Sequence, residues 1–217
     1  MTDDWIPFFE DDGTSSEGYL RTNEHEEAVR CLEWAELQAR LIPDDPYNWK
    51  WVLISLHSAV QGFMVLALWN GNGLLSFTDK AAKNWLKKYT AGDSCLIADC
   101  KLDNFPNLYA KIKDQTNFHT VGAKAFHAEP SHDESMKRFN RFRNEFVHFT
   151  PKGWSLELAG LPRICMDALN IVEFLVCEST AILWHEQGHA GRVRNATECF
   201  RRSLKSLRDC PKSLSDL

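Results

Sequence analysis

A run that is apolar on nearly every side decides what this chain can fold into. Residues 47–69, YNWKWVLISLHSAVQGFMVLALW, read as a helix with little polar surface, so the helix needs partners around most of its circumference. Its length touches that of a membrane span. His57, Gln61 and two serines (Ser55, Ser58) interrupt it, however, and neither a second span nor a basic flank follows. The pattern predicts the buried central helix of a bundle. His57 and Gln61, one turn apart, then read as core polar groups that find partners inside, or that lie beneath an active site.

The rest of the chain supplies such partners. Asn23 is a good N-cap for a helix over residues 24–42 that buries Val29, Leu32, Ala35 and Leu37. Asn70-Gly71-Asn72-Gly73 is a turn signal, and residues 79–89 follow as a short helix. Pro106, Gly122 and Pro130 keep residues 91–129 loop-rich, with one or two helical turns near Leu108 to Ile112. Next comes a helix capped by Ser131 or Asp133 and stopped after His148 by Pro151 and Gly153. Residues 155–158 suggest a short extended piece, Pro162 opens a long apolar helix running to about residue 187, and residues 193–207 form a basic amphipathic helix. This pattern predicts an all-α fold, an antiparallel up-down bundle of four to five long helices with a loop-rich insertion. Residues 21–217 make one domain behind a loosely ordered acidic and aromatic arm over residues 1–20.

Charge and cysteine usage narrow the setting. A net charge of −5 argues against general nucleic-acid binding, yet bases gather in 137–143 and 192–208 while acids crowd the first third. The seven cysteines are scattered, with no CxxC spacing and no signal peptide ahead of them, so reduced thiols in a cytoplasmic protein are expected.

Two short motifs carry candidate chemistry. His185-Glu186-Gln187-Gly188-His189 matches HExxH, in which two histidines one helical turn apart hold zinc. Gly188 and Gly191 weaken the helix that would aim the two rings, Asn195 stands where a third histidine is wanted, and Glu198 is the one downstream substitute. No metal is expected. The second motif lies in MKRFNRFRNEFVH, residues 136–148. Phe139, Phe142, Phe146 and Phe149 form an apolar stripe, and Lys137, Arg141, Asn144 and His148 lie roughly opposite. His148 sits near the negative end of the helix, where a ring able to gain and lose a proton suits acid–base chemistry. Arg143 falls about 140° round the helix from His148, whereas Arg141 and Asn144 share the histidine stripe.

Arg143-Asn144-Glu145-Phe146-Val147-His148 is an RNxxxH string, and on a late helix of an all-α bundle it resembles the HEPN superfamily (higher eukaryotes and prokaryotes nucleotide-binding). RNEFVHFTPKGWS looks like the small standalone plasmid- and phage-associated members. The likeness spans the bundle from about residue 23 to 208, but its specific part is short. It implies a two-fold homodimer with two motif copies facing one cleft, and metal-independent endoribonuclease activity without a cofactor, in a toxin or phage-defence role. Arg143, Asn144 and His148 would be catalytic, Lys137 and Arg141 would contact phosphate, and an antitoxin or regulatory protein is a further expected partner. Other members are catalytically inactive and bind RNA, nucleotide or a partner protein, which is the alternative expectation here. No membrane partner is expected.

Overall fold

The computed structural model describes Leu20 and residues 22–69, 71–94, 96–97, 100–148, 151–186 and 188–209. The arm expected over residues 1–20 lies outside these apart from Leu20, and so do Phe149 and Gln187. The described residues form seven α-helices: α1 (Glu24–Arg40), α2 (Asn48–Ala67), α3 (Asp79–Thr90), α4 (Phe105–Ile112), α5 (Pro130–Val147), α6 (Leu161–Glu173) and α7 (His189–Asp209). A single isolated bridge, Phe77 to Leu102, is the only β-type pairing among them. The segment expected to be extended over residues 155–158 forms no ladder, and Leu156 and Leu158 instead pack half-buried against the core.

α2 is the centre of the fold. Trp49, Val52, Leu53, Leu56, Ala59, Val60, Phe63 and Met64 are buried along it, and it packs against α1, α4, α5 and α6. By length and composition this helix is apolar enough to cross a membrane, and 61% of its apolar window is buried inside the bundle. The protein walls therefore supply the apolar surroundings that its sequence demands.

The long helices alternate in direction, as their side-chain pairings show. Ala28 of α1 faces Gly62 of α2 across the hairpin closed by residues 41–47. His57 of α2 meets Asn140 of α5, and Ser135 of α5 donates to Asp167 of α6. Arg201 of α7 donates to Asn170 and Glu173 of α6, at 2.7 Å each. α7 then returns alongside α1 in the same direction. His189 and Arg192 bond Glu26 near the start of α1, while Arg40 at its end meets Cys199. Val193, Ala196, Phe200, Leu204 and Leu207 recur on one face of α7 at spacings of three and four and are all buried.

Arg192 fixes this closure. It grips Glu33 in forked geometry (Nε to Oε1 2.8 Å, Nη2 to Oε2 2.7 Å) and reaches Glu26 with Nη1 at 2.7 Å. The same guanidinium holds the Glu26 carboxyl down at about 2.

Local chemistry accounts for several helix starts. Asn23 accepts from the Glu26 amide, Thr78 from Ala81, and Asn104 from Asn107. Three details differ from the expectations. Leu37 is exposed, and the buried stripe of α1 continues instead through Ala39. The N-cap of α5 is Glu129, whose amide donates to His132 Nδ1 at 3.1 Å, with Pro130 in the first turn. Ser131 and Asp133 fall inside the helix, and Asp133 accepts from Tyr109 and Lys113, tying α5 to α4 and the residue after it.

The apolar run after Pro162 is also shorter than its pattern. α6 ends at Glu173, passes through a π-type turn at Phe174–Glu178, and stops. Ser179 gives its carbonyl to the Lys124 amide, and Thr180 sits at φ 54°, a left-handed value that a β-branched residue rarely adopts. Pairing with the insertion replaces the helical bond that a continuing α6 would need.

The α1–α2 crossing is close enough to require a glycine. A Cβ at Gly62 would lie 2.8 Å from Ala28 Cβ and 3.4 Å from its Cα. Gly62→Ala is expected to lower stability by about 1–3 kcal/mol through overpacking, against a helix-propensity gain near 1 kcal/mol. Urea unfolding midpoints test this, and adding Ala28→Gly should recover most of the loss. A Gly62→Ala variant as stable as the parent would rule out the tight crossing.

Candidate functional site

Helical periodicity places the polar residues of α5 on one side once the phenylalanines are buried. Phe139 is fully buried and Phe142 nearly so, while Phe146 is half-buried against Trp154, with ring centroids 4.8 Å apart. That packing turns Lys137, Asn140, Arg141, Asn144, Glu145 and His148 into one open groove of about 380 Å³. Four of the five residues expected from the sequence, Lys137, Arg141, Asn144 and His148, thus line a common surface. Asn140 and Glu145 are additions. Asn140 stands one turn before Asn144, so the spacing that groups the others could have found it.

His148 closes the helix. Its backbone leaves helical geometry at φ −92° and ψ 92°, its amide donates to the Asn144 carbonyl at 2.9 Å, and the residue is exposed. The ring is therefore carried at the rim of the groove on the last turn of a well-anchored helix. Glu145 Oε2 is held by Lys152 Nζ at 2.6 Å, which offsets the acid in a surface otherwise suited to anions. Arg141 lies with its guanidinium carbon 5.3 Å from the Phe142 ring centroid.

Arg143, the arginine of the motif, is not among the residues lining the groove. It is half-buried, its Nη1 donates to Asn144 Oδ1 at 3.1 Å, and its buried Nε has no hydrogen-bond partner among the described residues. In this arrangement Arg143 orients Asn144, and Arg141 is the arginine beside His148. Helical geometry and motif point to different residues, and within one chain the side chains follow the geometry.

His57 lies under this site. Its Nε2 is 3.1 Å from Asn140 Oδ1, and its ring stacks on Phe105 with centroids 4.1 Å apart and leans on Phe139. Asn140 is therefore shared between a core histidine and the groove. Burial pushes the His57 ring down to about 4; the Asn140 hydrogen bond opposes that shift, and the positive charge of Arg143 adds to it.

The HExxH residues do not form the arrangement their spacing suggests. His185 and Glu186 sit in a bend, Gly188 is at φ 109°, and His189 starts α7, so the two histidines share no helix. Instead His25 stands edge-on to His185 (4.8 Å) and stacked with His189 (6.3 Å), and His189 Nε2 is 3.0 Å from Glu26 Oε2. No group of three or more His, Cys, Asp or Glu among the described residues is arranged to hold a metal ion. Here the histidines are partners in joining α1 to α7.

No protein-family model, curated protein or solved structure matches the chain. A cationic, amide-bearing surface with a titratable ring at its rim is suited to binding a phosphodiester and moving a proton there. A further cationic surface lies on α3, where Lys80, Lys83, Lys87 and Lys88 gather on a helix with no buried residue.

The burial of His57 sets a pH dependence of stability. With a folded value of about 4 against an ordinary 6.5, the unfolded chain takes up a proton in this window and the folded chain does not. Stability is then full above pH 6.5 and falls as pH drops toward 4, by roughly 3 kcal/mol from this group. Denaturant melts of the parent and His57→Gln at pH 7.5 and 4.5 should differ by a loss of that order that only the parent shows. Parallel losses in both would assign the acid sensitivity elsewhere.

Proposed function

We propose that the chain is a HEPN-type RNA-binding protein that acts as a metal-independent endoribonuclease once two copies pair. The observation that carries this reading is the single groove on α5 holding Lys137, Arg141, Asn144 and His148. Cleaving RNA without a metal means taking a proton from a 2′-OH as its oxygen attacks phosphorus. A proton must also reach the departing 5′-oxygen as the P–O5′ bond breaks, and charge on the phosphoryl oxygens must be stabilised. The products are a 2′,3′-cyclic phosphate and a 5′-OH.

One groove supplies one histidine. A two-fold pairing that brings a second groove opposite supplies another, so that one His148 serves as base and its counterpart as acid. Arg141 and Lys137 contact the phosphate, and Asn144, steadied by Arg143, bonds a phosphate oxygen or the substrate ribose. A toxin or defence role, with an antitoxin or regulatory protein restraining it, accords with such an activity in a cytoplasmic setting.

A second reading has an observation of its own. Arg143 is half-buried and engaged with Asn144 rather than with the groove, which leaves the motif arginine off the phosphate-binding surface and favours a HEPN-type module that binds RNA, nucleotide or a partner protein without cutting. The two readings separate in one assay. Purified protein incubated with RNA in EDTA should generate cyclic-phosphate ends, and His148→Ala should slow this by about a hundredfold or more without changing stability, because the side chain is exposed. RNA bound but left intact by the parent selects the non-catalytic module, and equal cleavage by His148→Ala removes His148 from the chemistry.

A further inference from the structure

The α5 groove has a neighbour of different character. Between the start of α2, the last turns of α5 and residues 152–158 lies a second recess of about 410 Å³, and Glu145 belongs to the walls of both. Tyr47, Phe146 and Trp154 are among the residues that line it. Tyr47 is 63% exposed, Trp154 is 39% exposed, and Phe146 backs Trp154 at 4.8 Å. Two lysines flank the rings. Lys50 Nζ lies 5.7 Å from the Tyr47 centroid and 5.0 Å from that of Trp51, while Lys152 pairs with the recess's one acid, Glu145.

This combination selects its occupant. A purely apolar ligand gains nothing from the lysines, and a simple anion gains nothing from an accessible indole and phenol in the walls of one recess. A planar base joined to phosphates uses both, because stacking needs only a π-face and the attached backbone meets the cations. Placement favours the same ligand. The recess adjoins the groove that carries Lys137, Arg141 and His148, so a strand with a phosphate in the groove brings a neighbouring nucleotide to its mouth. We propose that the recess of Tyr47, Phe146 and Trp154 is a nucleobase subsite, holding an unpaired base of the same RNA strand whose phosphate lies in the α5 groove. The assignment rests on the RNA reading above and deepens it, because the substrate must then be single-stranded next to the cut.

Anisotropy of a labelled decanucleotide tests it with the full chain. A 2′-O-methyl backbone removes the nucleophile, so binding is read without cleavage. Trp154→Ala should weaken binding roughly five- to a hundredfold, as loss of one stacked base predicts, and Trp154→Phe should stay close to the parent. An abasic strand of equal length should bind parent and Trp154→Ala alike, a result that a merely structural role for Trp154 would not give. Unchanged binding of the base-bearing strand by Trp154→Ala overturns the subsite while leaving the RNA reading intact, and so does equal weakening on both strands. If the parent binds neither strand at low salt, the RNA reading itself has failed and the subsite falls with it. Loss of self-association in Trp154→Ala with RNA affinity retained would identify the recess as a contact between copies and likewise overturn the proposal.

Discussion

The need to bury α2 organises this protein. A helix with apolar side chains nearly all round can be stable in water only if other helices wall it in. α1 meets it at the Ala28–Gly62 crossing, α5 through Phe139 and His57, and α6 and α4 close further sides. Each helix packed against it must then turn one apolar stripe inward, which fixes what it shows outside. On α5 the inward stripe is Phe139, Phe142 and Phe146, so the outward face is the groove ending at His148. The candidate site is in this sense a consequence of core packing, since rotating α5 to bury different residues would dismantle the groove and the core together.

The floor of the site joins those two demands. Asn140 accepts from the His57 ring inside through Oδ1 and lines the groove outside, and Phe105 and Phe139 hold the His57 ring in place. Arg143 contributes from beside them, turned to Asn144 and raising the cost of a second positive charge on His57. Groove geometry therefore depends in part on the buried rings of His57, Phe105 and Phe139 beneath it. The aromatic recess extends this surface across Glu145 toward α2 and Trp154, so phosphate-binding and stacking elements lie side by side on one edge of the bundle.

The two motifs fare differently for a physical reason. RNxxxH falls within a helix whose 3.6-residue period survives folding, so relations among Arg141, Asn144 and His148 can be derived from spacing alone. HExxH falls where the period is broken. Ser179 spends its carbonyl on Lys124 and Thr180 turns left-handed, so residues that would have continued α6 cross instead to the start of α1. There His25 takes the Leu183 carbonyl at 3.0 Å and His189 takes Glu26. A residue pattern keeps its chemical meaning only while the backbone keeps the geometry that the pattern assumes.

What the sequence determined by itself was therefore most of what local periodicity and end signals govern, the cap of α5 at Glu129 and the exposure of Leu37 excepted. The all-α class, the buried central helix, the start of α1 at Asn23, the amphipathic α7 and the polar stripe of α5 all rest on the spacing of side chains along one helix. Tertiary structure decided what depends on residues far apart in the chain. The early end of α6, the parallel return of α7 beside α1 through Arg192 and the recess between Tyr47 and Trp154 each require contacts between segments tens of residues or more apart. Periodicity reports which face of a helix is buried, and only the packed molecule reports what that face is buried against.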